Sequence, residues 1–457
     1  MAYIGYPERD EGKRVAALER IDWSRIAVEP GEALETLGLS SYPREFSLEM
    51  LLGDPFYRVV DWDGSRWTLS AIDLKKLGPV SHDSGILIAT QYARGPVSAR
   101  TIVDRDQWTV PQQYTPFRPL HKISIADAAG TDVYVSSVTG QVVLATTRKE
   151  RFWNWLGSVP HWLYFTPLRA NPPLWRQVNL WVSGPAILIA ISGIWIGVLR
   201  LRARRRYAHG TMSPYHGWKL WHHWAGILGG VFLLTWIVSG WLSVSPNQWL
   251  SGGGPTKDLL LAYAGQSAPT FPAVSSLHGI GASDTRQVHF MYVNRQPVLL
   301  LVSANSERTL ASAAAGEPLS ITEEQIAAAS TRLMPNSAIQ ERARLSTADN
   351  YYYSHHEHRS FPVLRVTFDD AERSSFYLDP RTGAVLDFVD DGARQYRWWF
   401  NALHRLDFAW LLEHRTLWYA VIWMLCAAGV VTSISAVVIG WHRLRRRIVH
   451  SRFHVTP

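Results

Sequence analysis

Residues 155–197 read WLGSVPHWLYFTPLRANPPLWRQVNLWVSGPAILIAISGIWIG, and residues 398–440 read WWFNALHRLDFAWLLEHRTLWYAVIWMLCAAGVVTSISAVVIG. The two stretches align without a gap, at an offset of 243 residues. Their identical positions include Trp155/Trp398, His161/His404, Phe165/Phe408, Leu168/Leu411, Leu174/Leu417, Trp175/Trp418, Ser192/Ser435 and Gly197/Gly440. The chain is therefore an internal duplication, in which each copy carries a polar domain, an aromatic segment with one histidine, and an apolar span with a basic end.

The composition is that of a membrane protein. Of the 457 residues, 18% are charged and 22 are tryptophan, whereas soluble proteins average about 25% charged residues. Tryptophan is enriched at membrane interfaces. Three apolar runs, at Leu180–Leu199, Trp224–Val244 and residues 417–441, each have the length of about 20 residues that crosses about 30 Å of hydrocarbon. We therefore predict an α-helical membrane bundle.

The arginines predict the orientation. The net charge is +8, and basic residues cluster at 200–206 and 443–447, directly after apolar spans. Basic residues collect on the cytoplasmic side of membrane helices, so the charge does not require nucleic acid as a partner. Both spans then end in the cytoplasm, together with the C-terminus. We expect a multi-pass protein in the lipid bilayer of a bacterial inner membrane, with its large domains in the periplasm.

The polar domains have an α+β pattern. Helices are predicted at Ser81–Arg94 and 321–334, and hairpins at 132–146 and 374–391, whose turns contain Thr-Gly. The predicted order is a polar domain (1–150), an aromatic interfacial linker (151–176), a transmembrane helix with its basic end (177–206), a second transmembrane helix (218–244), a second polar domain (250–395), a second aromatic linker (396–416) and a third transmembrane helix with its basic end (417–447).

The duplication also predicts a fourth helix. The second span precedes the second polar domain, and Met1 corresponds to Val244 at the offset of 243. The equivalent helix of the first copy would therefore precede Met1. Its histidine would mirror His222.

Histidines are placed repeatedly near the predicted membrane boundaries. His161 and His404 are equivalent in the duplication, His222 opens the second span, and His442 follows the third. Ionisable groups at membrane depth are costly and usually functional, and two imidazoles on facing helices can hold a haem iron axially. The alternative is that they are amphipathic interfacial residues. The favoured axial pairing is His161 with His404, and His222 would then pair with the histidine of the fourth helix or with His442 as its substitute. Cations for the haem propionates are available at Arg169, Arg176, Arg405 and Arg415.

The second polar domain also contains the run His355, His356, Glu357, His358. Such a cluster can bind a borderline metal ion such as iron or zinc, and the alternative is a solvated loop. Cys426 is the single cysteine, which excludes an intramolecular disulfide. Because no GxGxxG or Walker A motif is present, electrons would have to come from a quinol or another redox protein.

Three stretches resemble the PepSY-associated transmembrane family. They are LWHHWAGILGGVFLLTWIVSGWLSV (220–244), YLDPRTGAVL (377–386), and FNALHRLDF (400–408) followed by TLWYAVIWMLCAAG (416–429). The resemblance implies two periplasmic PepSY-like α+β domains on a helical bundle, with His222 and His404 at the family's histidine positions. Through the repeat it extends to His161.

Some members of that family are implicated as haem-containing inner-membrane reductases that release iron from ferric siderophores. The resemblance therefore implies haem b as cofactor, a ferric siderophore as possible substrate, and ferric reductase activity. The rival is a non-catalytic regulator, because PepSY domains elsewhere resemble inhibitory or chaperone-like modules. A third alternative, a metal-handling subunit of a transport system, would depend on the His355–His358 run.

Overall fold

The computed structural model describes residues 5–207, 210–274, 284–355 and 359–453. It divides into two compact units. The first, here the sheet unit, consists of Met1–Trp175, Gly254–Arg344 and Pro362–Phe388. The second, here the helix unit, consists of Arg176–Gly253, Leu345–Phe361 and Val389–Pro457.

The described residues form fourteen strands, all short and mostly buried. In chain order they are β1 (Glu45–Leu51), β2 (Asp54–Val60), β3 (Arg66–Ser70), β4 (Val97–Val103), β5 (Leu120–Ile125), β6 (Asp132–Ser136), β7 (Val142–Thr146), β8 (Thr285–Val293), β9 (Gln296–Ser303), β10 (Arg308–Ser312), β11 (Ile339–Leu345), β12 (Val363–Phe368), β13 (Ser375–Leu378) and β14 (Val385–Val389).

The α-helices follow in chain order. They are α1 (Glu11–Ala17), α2 (Pro30–Leu37), α3 (His82–Tyr92), α4 (Arg148–Leu156), α5 (Ser158–His161), α6 (Thr166–Arg169), α7 (Pro172–Arg200), α8 (Trp218–Ser243), α9 (Lys257–Ala264), α10 (Glu323–Ser330), α11 (Asp391–Tyr396), α12 (Leu403–Arg405), α13 (Ala409–Glu413) and α14 (Arg415–Phe453). A π-helical turn at Arg397–Ala402 joins α11 to α12.

The strand order confirms the duplication. One four-stranded sheet has the order β4-β5-β6-β7, and its counterpart has the order β11-β12-β13-β14. At the offset of 243, β5 coincides with β12 and β7 with β14, residue for residue. Turn conformations repeat as well, since Gly140 and Gly383 have φ values of 68° and 70°. The helix predicted at Ser81–Arg94 and both hairpins are confirmed.

The two polar domains are joined through a third sheet. Its order is β10-β9-β8-β1-β2-β3, so β1 of the first copy pairs with β8 of the second. Glu49 lies opposite Gln287 in this antiparallel register, and Leu48 and Val288 are fully buried beneath it. The two predicted domains therefore share a hydrophobic core. An alternating strand pattern specifies a buried face but not a partner strand, so the sequence did not predict this pairing.

A buried ionic cluster lies on the shared sheet. The carboxylate of Glu49 is 1% exposed and contacts Arg14, at 2.8 Å, and Arg58. Gln141 and Gln287 each donate to the same carboxylate at 3.3 Å. Burial alone would raise the pKa of Glu49, but the two guanidiniums outweigh burial and lower it to about 2. Because Gln287 belongs to the second copy, the cluster ties the two copies together.

Among the described residues, three helices are long and apolar enough to span a membrane: Pro172–Arg200, Trp218–Ser243 and Arg415–Arg446. With the antiparallel sheets, they are compatible with a membrane protein that carries α+β domains. The first helix begins eight residues before the predicted apolar run. Pro172 and Pro173 stand in its first turn, where the missing N–H of proline breaks no helical hydrogen bond.

Small residues bring the three spans together. A Cβ atom built on Gly229 of α8 would lie 2.9 Å from the Cβ of Ala428 on α14. One built on Gly230 would lie 3.1 Å from Ile194 of α7. Glycine at both positions leaves room for a side chain of the neighbouring helix, which a larger residue would displace. Helix α8 therefore packs against both other spans.

Candidate functional site

His404 lies against the C-terminal part of α8. Its Nδ1 atom is 3.0 Å from the hydroxyl of Ser239 and 3.2 Å from the carbonyl oxygen of Trp236. The ring stacks on Phe400, with centroids 4.9 Å apart. A Cβ atom at position 240 would lie 3.5 Å from the imidazole, so Gly240 leaves room for the ring. The short helix α12 and the π-helical turn before it place His404 on this face of α8.

His222 makes the same pair of contacts, but here the histidine belongs to α8 and its partners to another helix. It lies near the start of α8, and its Nδ1 atom is 3.0 Å from the hydroxyl of Ser435 and 3.2 Å from the carbonyl oxygen of Thr432, both on α14. In each case the histidine contacts a carbonyl oxygen and the serine three residues later. The two histidines are therefore held by the same arrangement of a carbonyl oxygen and a serine hydroxyl, which α8 provides for His404 and α14 provides for His222.

The serines fix the tautomer of both rings. The hydroxyl of Ser239 donates back to the carbonyl of Thr235 at 2.6 Å, and that of Ser435 donates to Val431 at 2.6 Å. A hydroxyl that has donated its hydrogen accepts from its next partner, and a carbonyl can only accept. The Nδ1 atoms of His222 and His404 must therefore carry the hydrogen, which places the lone pair of each neutral ring on Nε2. Metal-ligating histidines are commonly oriented in this way.

The two histidines belong to separate positions along the helices. Ser239, which contacts His404, follows His222 on α8 by 17 residues. At about 1.5 Å per residue, this separation is about 26 Å. Two axial ligands of one iron must lie within a few ångströms of each other, so His222 and His404 cannot share an ion. The helix unit contains two candidate positions, one towards each end of α8.

His223 is the neighbour of His222, yet it is placed differently. Its Nδ1 atom is 2.8 Å from the hydroxyl of Ser213 and its Nε2 atom 2.8 Å from the carbonyl oxygen of Gly197. Both ring nitrogens are occupied by the protein, and the side chain is buried. His223 therefore fastens α7 and the following loop to α8, and is not available as a metal ligand.

The remaining predicted haem ligands lie on other elements. His161 ends α5 in the sheet unit and is an exposed residue. The surrounding protein nevertheless lowers the pKa of His161 by desolvation, which favours the neutral form that a metal requires. His442 is exposed near the end of α14. The pairing of His161 with His404 stays a prediction, because these residues belong to different units.

The four arginines predicted to bind propionates have distinct surroundings. Arg169 lies over the rings of Tyr164 and Trp175, at 5.0 and 4.8 Å from their centroids. Arg176 donates to the carbonyl oxygens that follow α8, at residues 244 and 245. Arg415 donates to a carbonyl oxygen at residue 354. Arg405 lies 3.5 Å from the carboxylate of residue 407 and keeps about a third of its surface exposed.

Asp407 is the centre of a buried polar cluster that the sequence analysis missed. Its carboxylate is fully buried and lies 2.7 Å from Nδ1 of His355 and 3.0 Å from the hydroxyl of Tyr353. The ring of His355 also meets Trp418 edge-on, at 5.6 Å. Asp407 therefore places a carboxylate oxygen beside one ring nitrogen of His355. Its counterpart in the first copy is Tyr164, so the cluster occurs in one copy only.

Arg397 completes this cluster from the π-helical turn. It is buried, donates to the backbone carbonyls of Asp407 and Asn350, and lies 4.4 Å over the ring of Tyr353. These contacts attach residues 345–355 to the second aromatic linker. The segment 345–355, which ends at the first histidine of the predicted metal-binding run, is thus held close to Asp407.

The predicted metal site itself is only partly described. His355 is placed as above, whereas His356 and His358 lie outside the described residues. Among the residues that the structure describes, no three histidine, cysteine or carboxylate side chains converge in a way that could hold a metal ion.

Comparisons with known proteins leave the family open. No family model matches the chain, and no characterised protein or solved structure is significantly similar to it. Function must therefore be inferred from the residues of the chain, and the resemblance to the PepSY-associated family stays a prediction.

Proposed function

We propose that this chain is a haem b protein of the bacterial inner membrane that transfers electrons to a ferric complex, such as a ferric siderophore, in the periplasm. The observation that carries the proposal is the matching arrangement of two histidines in the helix unit. His222 and His404 each hold Nδ1 against a carbonyl oxygen and a serine hydroxyl of a facing span. In both rings this arrangement puts the lone pair on Nε2, the nitrogen that would face a metal ion.

The form of His222 and His404 supports haem as the group that they would hold. His222 and His404 would each present a neutral imidazole, with its lone pair on Nε2, to a haem iron. When bound, haem supplies a one-electron couple between ferric and ferrous iron. The protein then has to hold the rings, exclude water and receive the ferric complex near the site. Electrons would come from a quinol or a redox protein.

Ser239 and Ser435 are the positioning residues in this proposal. Each keeps its histidine in one rotamer and one tautomer, so that the ring does not reorient towards its own helix. Loss of such outer-shell partners costs metal sites about 10- to 100-fold in affinity. The basic ends of the spans support a topology with the polar domains opposite the cytoplasm, which is the side where a ferric siderophore would arrive.

The test is the reduced-minus-oxidised visible spectrum of the full-length protein, with haem quantified per chain. His404→Ala and His222→Ala should each remove or weaken one haem. Ser239→Ala and Ser435→Ala should lower haem affinity by about 10- to 100-fold and shift the midpoint potential. Ser243→Ala is the matched control, because this α8 hydroxyl contacts only the carbonyl of Gly240.

A wild-type protein without a Soret band, prepared under haem-sufficient conditions, would refute the proposal. Serine variants that behave like Ser243→Ala would refute the positioning role alone.

A non-catalytic binding protein is the second candidate, and one observation favours it. Strand β4 (Val97–Val103) lies at the edge of its sheet and is exposed along most of its length, with Ile102 56% exposed. An edge strand of this kind can accept an extended peptide by strand addition. In that case the chain would bind peptide and lack haem.

A further inference from the structure

Two histidines meet in the first polar domain, on elements that the haem proposal does not use. His82 is the first residue of α3, directly after the N-cap Ser81. His121 lies on β5 and is 2% exposed. Their Nδ1 atoms are 3.2 Å apart, and their ring planes are inclined by 73°. The two rings therefore present the same nitrogen to each other across the start of the helix.

The surroundings of His121 determine which atom faces His82. The Nε2 atom of His121 lies 2.9 Å from the carbonyl oxygen of Val80, which can only accept a hydrogen bond. Nε2 therefore carries the hydrogen, and the lone pair of His121 is on Nδ1, directed at His82. A backbone carbonyl behind one ring nitrogen is the usual support of a histidine that ligates metal through the other.

Gly85 shows that the approach of the two elements is close. A Cβ atom at this position would lie 3.0 Å from the ring of His121. The glycine has ordinary helical geometry, so backbone conformation does not require it. What it provides is space, which allows the first turn of α3 to lie directly on the imidazole. The pair is thus held by two rigid elements.

We propose that His82 and His121 form a binding site for a divalent transition-metal ion such as Zn²⁺, Cu²⁺ or Ni²⁺. Imidazole nitrogens bind zinc at about 2.0–2.1 Å, so two of them on a tetrahedral ion lie about 3.3–3.4 Å apart. The observed 3.2 Å is close to this separation. The metal ion takes the place of the hydrogen between the two Nδ1 atoms, and the neutral ring of His82 changes tautomer by taking a proton on Nε2 from solvent as Nδ1 gives one up, so no net proton is released.

The site supplies two protein ligands. No third histidine, cysteine or carboxylate joins them among the described residues, so water or a small ligand completes the coordination. His82 is partly exposed and provides the entry path. The counterparts in the second copy are Gln325 and Leu364, which predicts one such site per chain. Imidazole ligands favour zinc, copper and nickel over magnesium or calcium.

The experiment uses full-length protein in detergent, stripped of metal, in a background with His355→Ala, His356→Ala and His358→Ala to remove the other histidine cluster. Cu²⁺ is added to one equivalent and the electron paramagnetic resonance spectrum recorded. Zn²⁺ affinity is measured by competition with a chromophoric chelator. His82→Gln should lose the nitrogen coupling of the copper spectrum and bind Zn²⁺ at least tenfold more weakly. His216→Gln, at an exposed loop histidine, is the matched control.

A second readout identifies the site directly. Diethyl pyrocarbonate modifies accessible neutral imidazoles, and peptide mass spectrometry locates the product. Zn²⁺ should protect His82 and leave His216 reactive. Equal Zn²⁺ affinity in the background protein and its His82→Gln variant, or modification of His82 at the same rate with and without Zn²⁺, would overturn the proposal. The pair would then be a structural hydrogen bond only.

Discussion

Glu49→Gln should destabilise the sheet unit more than any other single change of a carboxylate on β1. Glutamine keeps the size of the side chain but removes the negative charge that Arg14 and Arg58 share. Desolvation lowers the pKa of Arg58, whereas Glu49 and Glu11 outweigh it at Arg14 and raise that pKa. Both remain charged at neutral pH, because the ordinary pKa of arginine is above 12. The variant therefore leaves two buried cations without their counterion.

The magnitude follows from the pKa of the carboxyl group. A fall from 4.5 to about 2 corresponds to about 3 kcal/mol of free energy of unfolding at neutral pH, at about 1.4 kcal/mol for each pKa unit. Removal of one partner from a buried ion pair costs a similar 3–5 kcal/mol or so. Since the folded pKa is below the unfolded one, the stabilisation is complete above pH 4.5 and is lost as the pH falls towards about 2.

The assay is thermal unfolding of the full-length protein, followed by tryptophan fluorescence. With about 2–4 °C for each kcal/mol in domains of 150–250 residues, Glu49→Gln should lower Tm by about 6–12 °C at pH 7. The difference from wild type should shrink between pH 5 and pH 3. Glu45→Gln is the matched control, since Glu45 lies on the same strand in an exposed pair with Arg44, worth at most about 1 kcal/mol. Equal Tm values for the two variants, or a pH-independent difference, would refute the reasoning.

Two further predictions concern the helix unit. Asp407→Asn should detach residues 345–355 from the second aromatic linker and speed proteolysis there, because the charge that Arg405 and His355 face is lost. Limited proteolysis of the full chain measures this effect. Cleavage no faster than in Asp391→Asn, at a partly exposed ion pair, would contradict the prediction. Gly229→Ala should separate α8 from α14, lower stability by about 1–3 kcal/mol through overpacking and reduce haem content. Gly226→Ala is the control, because a Cβ atom there would meet nothing within 4 Å. Identical melting curves for the two variants would contradict the prediction.

Local features of the fold were predictable because their signals are local. The apolar runs gave the three spans, the Ser81 cap gave α3, and the Thr-Gly pairs gave the two hairpins. Each depends on residues within one turn or one helix of each other. The extension of α7 to Pro172 was missed because proline is a breaker inside a helix but a good residue in its first turn.

The features that depend on distant residues could not be predicted. Nothing in the β1 sequence names β8 as its partner, since any strand of matching pattern would bury the same face. Asp407 carries no motif, and its role is visible only once His355 and Tyr353 are placed against it.

One of the two serine contacts has a signal in the sequence. Ser435 is retained in the duplication as Ser192, although serines in apolar helices usually bond only to their own backbone. A serine that is retained in an apolar span where most neighbouring residues differ between the copies indicates that its position has a role.

The pairing of β1 with β8 has a particular register. Ser47 lies opposite His289, which is the counterpart of Phe46, and Leu48 lies opposite Val288, the counterpart of Glu45. In the numbering of the first copy, position 47 thus pairs with 46 and position 48 with 45. This is the register of a strand that pairs with an antiparallel copy of itself, with a two-fold axis between positions 46 and 47. A polypeptide with a single copy would thus present the same edge to another molecule of itself and form a homodimer. Joining the copies in one chain makes that contact permanent at any concentration, and allows each side to diverge: Glu49 became a buried anion while its counterpart is Tyr292.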